Sequence, residues 1–195
     1  MKRIILAAVI VSILIIPLGN TAWADQEEGT PSSAGNGTVE AVLPSVHGVV
    51  LAMLNHGAAS FDLDDGELVW ESLYNMLSLY GQLDSRCDPY SGELVLPEET
   101  VWDYASALGL RPDSLPPLPD SLSDRIVYDS SEYCYRLICG DAGLTQLQID
   151  SLRADGGYLF LDCSLADHSV LARFQVALQS RDNMFGFAVS ALTEA

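Results

Sequence analysis

The 195 residues carry nine Lys or Arg against 27 Asp or Glu, a formal net charge of −18 at pH 7, and 49% are hydrophobic. That acid excess argues against nucleic acid and anionic lipid head groups as partners, because phosphate contacts need clustered Lys and Arg. The apolar share suffices for one domain with its own core, and a self-repelling acidic surface keeps such a domain soluble.

Lys2 and Arg3 precede an apolar run from Ile4 to Ile16 that only Ser12 interrupts; Pro17, Gly19 and then Ala22-Trp23-Ala24 follow. The run is shorter than the ~20 residues of a membrane span, and small residues stand where a signal peptidase reads. Residues 1–24 are therefore expected to be a secretory signal peptide, cleaved near Asp25. No cysteine directly follows the run, so no lipid anchor is expected. Cleavage removes Lys2 and Arg3 and no acid, lowering the −18 by two to −20. The mature chain is expected to be exported by a bacterium to the periplasm, cell surface or medium, with no membrane attachment.

Residues 25–43 are rich in Gly, Ser, Glu and Thr and lack aromatics, so a disordered acidic linker is expected there. One domain is expected over 44–195. Pro44-Ser45 reads as a helix start with Ser45 as N-cap, and Val46, Val49, Val50, Met53 and Leu54 share one face up to Gly57. A second helix follows Asp62-Leu63-Asp64-Asp65-Gly66, with Val69, Trp70, Leu73, Met76, Leu77 and Tyr80 on one side and Gly81 as its stop. Leu94-Val95-Leu96 is a short extended segment. A third helix runs from about Pro97 to Leu108, with Glu98 and Glu99 in its first turn and Gly109 after its end. The four prolines between Arg111 and Asp120 make a stiff crossing segment.

From Ile126 the texture changes to strands, expected at 132–139, 144–154, 158–165, 169–179 and 184–193 with turn residues in each gap. A three-residue loop at Asp155-Gly156-Gly157 would pair Ala154 with Tyr158, Ile149 with Cys163 and Leu147 with Leu165. A two-residue turn at Ala166-Asp167 would pair Cys163 with Val170 and Leu159 with Phe174. Pairing Leu178 with Phe185 would set Val176 against Phe187. These registers place the apolar set on one face and Gln146, Gln148, Arg173, Gln175 and Gln179 on a wetter one. The result is an α+β domain, with N-terminal helices packed on one face of a C-terminal antiparallel meander of four to five strands. That element order resembles the layouts of nuclear-transport-factor-like and cystatin-like folds, in which a curved sheet wraps helices. A resemblance of order alone implies no activity.

The chemistry-bearing residues are sparse. Counted from Asp62, the acids Asp62, Asp64, Asp65 and Glu67 put Gly66 one place early for a calcium loop and leave Leu73 at its twelfth position, so a turn and helix cap is expected. His47 and His56 point about 180° apart on one helix at ~100° per residue and cannot share a metal. No nucleophile elbow or phosphate loop occurs. Cys87, Cys134, Cys139 and Cys163 form an even set without zinc spacing, which permits disulfides in an exported chain. The loop cysteine Cys87 is the expected partner of an inward cysteine, Cys139 ahead of Cys163. Tyr133 and Tyr135 share a face with Leu137 and are candidate pocket-lining residues. No catalytic residue, metal or cofactor is expected. The inner face of the meander offers no acid to move protons, which argues against catalysis. The leading expectation is an exported, non-catalytic binding or interaction module for a protein or small-molecule partner. A binder of a small apolar molecule in a helix–sheet cavity ranks second and an enzyme of unrecognised type third.

Overall fold

A computed structural model describes residues 33–90, 93–140, 145–167 and 169–195. The expected signal peptide, the first part of the linker and the His168 turn position lie outside the described residues. The elements in order are α1 (Ser33–His56), α2 (Gly66–Tyr80), β1 (Asp88–Tyr90), β2 (Glu93–Pro97), α3 (Glu98–Ala107), β3 (Ile126–Asp129), β4 (Cys134–Ile138), β5 (Gln146–Asp155), β6 (Tyr158–Asp167), β7 (Ser169–Ser180) and β8 (Phe187–Glu194). The fold is α+β with helices ahead of a C-terminal antiparallel meander, as the sequence predicts.

α1 starts at Ser33, ahead of the expected Pro44-Ser45 start. Pro44 sits inside it, where a missing N–H costs one helical hydrogen bond. Ser45 is no cap: its hydroxyl donates to the Val42 carbonyl at 3.0 Å. The stretch Gly37–His56 is long and apolar enough to cross a membrane by length and composition, and more than half of it is buried inside the protein. Leu54, expected on the inner face, is 38% exposed. α2 starts where expected. Asp65 caps it, its carboxylate accepting from the Glu67 and Leu68 amides at 3.1 Å each, and Asp62 accepts from the Asp64 amide. These acids hold a turn and a helix end, the reading favoured over calcium. α2 is buried on nearly every side, from Leu68 through Tyr74 without a break. It runs against α1, α3 and β4 at once. The proline-rich crossing adds one more contact, since the Trp70 indole donates to the Pro116 carbonyl at 2.7 Å.

The strands divide into two antiparallel sheets, ordered β1-β2-β4-β3 and β5-β6-β7-β8. This corrects the expected strand 132–139 in two ways. It is shorter, and it leaves the meander to pair Leu94 with Leu137 and Tyr128 with Tyr135 in a sheet of its own. The single curved sheet of the resembled layouts is therefore not formed. In the C-terminal meander, Ile149 pairs Cys163 and Leu147 pairs Leu165 as expected, by a different route. The hairpin turn is two residues, with Asp155 opposite Tyr158, and a bulge between Ile149 and Ser151 absorbs the difference. The next two pairings differ. Leu159 faces Leu178 and Cys163 faces Phe174, while Val176 faces Leu192 and Leu178 faces Val189. The β6–β7 slip from the expected register is an even number of residues, so each side chain keeps its face. Phe174, Val176, Leu178, Leu159, Leu161 and Cys163 are all buried in one core shared with the helices.

Candidate functional site

The two long edges of the meander differ. Residues 59–61 close the β8 edge: Phe61 N–H donates to the Leu192 carbonyl and Glu194 N–H to the Ala59 carbonyl, each at 2.9 Å, with a bridge from Ser60 to Thr193. The β5 edge has no strand beside it among the described residues. Every β5 residue but Leu147 and Ile149 is exposed, and those two are half-buried. An edge of this length presents a row of unpaired N–H and C=O groups to solvent.

The outer face of the same sheet is hollow. Two cross-strand rows run side by side in register: Ser151, Asp162, Gln175, Thr193, and Arg153, Phe160, Ala177, Ala191. The opposed alanines Ala177 and Ala191 leave a trough of about 510 Å³ lined by both rows. A second hollow of about 400 Å³ adjoins it through Asp162 and is lined by Gln148, Asp150, Ser164 and Arg173. Local contacts order the walls. Ser151 Oγ donates to Asp162 Oδ2 at 2.6 Å and Ser164 Oγ to Asp150 Oδ1 at 3.2 Å. The Arg153 guanidinium lies 4.5 Å over the Phe160 ring, and Tyr158 stacks at 6.2 Å on that ring. Arg173 makes no ion pair among the described residues. One arginine, Arg153, and one aspartate, Asp162, make the trough's side chains formally neutral within a strongly acidic chain.

A second cleft, about 230 Å³, lies between α1, α2 and the segment around Arg125 and Gly140. It holds Glu71, a carboxylate only 6% exposed. Arg125 Nη1 and Nη2 donate to Glu71 Oε1 and Oε2 at 3.4 and 3.1 Å, and Asn55 donates to Oε1 at 3.2 Å. Arg125 also lies 4.8 Å over the Tyr74 ring. The Tyr74 hydroxyl donates to the Ile138 carbonyl, and Ser78 Oγ accepts from the Gly140 amide. Sequence reasoning passed over Glu71. Its signal is that it is the only charge between Leu68 and Tyr80, on a helix otherwise built for burial.

The expected site residues are scattered. Tyr135 joins the core and packs on Trp70 at 5.8 Å, whereas Tyr133 is 67% exposed at a left-handed φ of +52°. The structure separates the pair because Tyr133 belongs to the turn ahead of β4. It lines none of the hollows described above, and neither does Tyr135. All four cysteines are free. Cys139 is exposed at the end of β4, not inward on the meander, so the reasoning that paired it with Cys87 does not hold. The two thiols nonetheless feel each other. Burial pushes the Cys87 thiol up, and the nearby Cys139 adds to that shift. His47 is buried at the α1–α2 contact, where its Nδ1 and the Tyr80 hydroxyl share a hydrogen bond at 2.7 Å and its Nε2 has no partner among the described residues. Burial lowers its pKa to about 4 and raises that of Tyr80 to about 12. Neither group opens onto the trough.

No family model matches the chain, and no curated protein or solved structure matches it.

Proposed function

We propose that the chain is an exported, non-catalytic interaction module that captures an extended segment of a partner protein on the C-terminal sheet. The observation that carries this reading is the open β5 edge running beside the neutral trough on the sheet's outer face. An added strand would satisfy the free backbone groups of Gln146–Asp155, and the chain continuing from it would cross the trough past Ser151 and Arg153 toward Ala177 and Ala191. The β8 edge illustrates the geometry, because residues 59–61 already lie along it in extended pairing. The helix-facing side of the sheet is filled by apolar side chains.

The test uses the mature chain from Asp25 and a displayed library of random peptides. Selected peptides should bind the native chain and lose at least tenfold in affinity, about 1.4 kcal/mol, on Ala177→Arg, which fills the trough without touching the core. Selection that yields nothing above background, or peptides that bind Ala177→Arg equally well, would refute the reading. Mass spectrometry of exported material should find the N-terminus near Asp25.

A further inference from the structure

The geometry points to a zinc site on the β3–β4 hairpin, formed by Asp129, Glu132 and Cys134. A carboxylate oxygen of Asp129, one of Glu132 and the sulfur of Cys134 all lie within 4.8 Å of one another. Asp129 and Cys134 are cross-strand partners on the last rung of the ladder, and Glu132 comes from the turn that joins them. Around a tetrahedral zinc, ligand atoms stand about 3.3–3.8 Å apart. Closing from 4.8 Å needs movement of about 1 Å, within reach of side-chain rotation at a surface turn.

Cys134 is the observation that distinguishes this group from an ordinary acidic turn. It sits on the strand face opposite Tyr135 and Leu137 and is not part of the apolar core. It is nevertheless 94% buried, with a relative exposure of 6%. Its thiol makes no hydrogen bond among the described residues. A buried thiol without a hydrogen-bond partner, beside two carboxylates, is well suited to a borderline-soft cation. Its sulfur favours zinc over calcium or magnesium, which prefer all-oxygen ligands. The two carboxylates would lower the net charge of the bound ion, and water would complete the shell.

Asp129 is already divided for this role. Its Oδ1 accepts from the Ser131 amide, the Ser131 hydroxyl and the Glu132 amide, which holds the turn. Its Oδ2 faces the Arg136 guanidinium at 3.8 Å, and the same guanidinium donates to Glu132 Oε2 at 2.9 Å. Arg136 thus occupies the cation position when no metal is present. Its pairs are with half-exposed and exposed carboxylates, and such pairs are weak. Zinc entry displaces Arg136 to solvent and the Cys134 proton to water, forming one Zn–S and two Zn–O bonds with no change of oxidation state.

The test uses the full mature chain, stripped of metal with a chelator and kept reduced. Titration with Co²⁺ should give a thiolate-to-metal charge-transfer band, and zinc should abolish it. Cys134→Ser should remove the band. Asp129→Asn and Glu132→Gln should each weaken zinc by about 10- to 100-fold, the size seen when metal-site residues are altered. Arg136→Gln should tighten zinc several-fold, because it removes the competing cation. A combined Cys87→Ser and Cys139→Ser variant should leave the band unchanged. The assignment is overturned if no band forms, if the band follows Cys87 and Cys139, or if Arg136→Gln weakens binding. Circular dichroism checks that each variant retains the fold.

Discussion

Two glycines of α1 make opposite predictions for the same substitution. A Cβ at Gly48 would lie 2.5 Å from Met76 Cγ and 2.7 Å from the Ser72 carbonyl oxygen of α2. A Cβ at Gly37, on the same helix, would meet nothing within 4 Å. Alanine in place of glycine favours a helix by about 1 kcal/mol, so Gly37→Ala should stabilise by about 0.5–1 kcal/mol. At Gly48 the gain is opposed. The Met76 side chain can rotate away, but the Ser72 carbonyl belongs to the α2 backbone and cannot. Ordinary contact is about 3.5 Å or more, so α1 and α2 must move apart by most of an ångström. Overpacking of this kind costs about 1–3 kcal/mol, and a backbone clash belongs at the upper end. Subtracting the helix gain leaves a net loss of about 2 kcal/mol. Urea unfolding of both variants reads the difference directly, with midpoints compared at constant slope. If Gly48→Ala is as stable as Gly37→Ala, the close approach of α1 to α2 is not as described, and the packing of His47 and Met76 falls with it.

Three further outcomes follow from the core and its polar inclusions. Phe174→Ala removes a side chain 1% exposed at the centre of the meander and should cost about 3–5 kcal/mol; near-neutral stability in urea would mean that the inner face is misassigned. Arg125→Met leaves Glu71 buried with Asn55 alone and should cost about 3–5 kcal/mol, whereas Arg125→Met combined with Glu71→Met should recover much of the loss, as a double-mutant cycle would show. His47, with a folded pKa of about 4 against ~6.5 unfolded, takes up its proton more readily in the unfolded chain, so stability should be full above ~pH 6.5 and fall as pH drops toward 4, by on the order of 3 kcal/mol. His47→Gln should flatten that acid limb, and equal pH profiles for the two proteins would remove His47 as its source.

Elements with a strong local signal were legible in the sequence. Asp65 as a cap, Gly81 and Gly109 as stops, and the apolar periodicity of α2 and α3 depend on neighbours three or four residues away. The division of the meander into a dry and a wet face rests on alternation at every second residue, which is equally local. What escaped depends on distant partners. β4 looks like the first meander strand because its texture matches the strands that follow, yet it pairs with β2, from the far side of α3. Registers failed for a related reason. β6 runs through the expected turn to Asp167, and each bulge moves the pairing by one residue; the sequence marks none of Asp150, Leu171 and Ser190 as a bulge position. The trough was half visible: Gln148, Arg173 and Gln175 were placed on the wet face, but its hollow comes from Ala177 meeting Ala191, which only the true register reveals. The hairpin cluster was hidden by the strand expected at 132–139, which merged the turn residue Glu132 with Cys134 and omitted Asp129.

The Glu71 cleft is the strongest rival to the sheet as the working surface, because a buried carboxylate facing a cavity is what proton chemistry requires. Its hydrogen bonds argue otherwise. Both oxygens are engaged, by a forked guanidinium and by an amide. The remaining polar groups of the cleft face the backbone: Tyr74 to Ile138, Asn75 to Gly48 and Ser78 to Gly140. These bonds tie α2 to α1 and to the chain leaving β4, at the place where the N-terminal helices meet the smaller sheet. A general base needs a lone pair free to take a proton from substrate, and here both oxygens already accept hydrogen bonds. The trough has the complementary character. Gln148, Arg173, Gln175 and Thr193 point outward with no side-chain partner among the described residues, beside an unpaired strand edge. Groups spent on internal contacts hold a fold together, and groups left over are available to a partner. By that criterion Glu71 and Arg125 form a structural clasp, and the outer face of the C-terminal sheet is the surface we propose for binding.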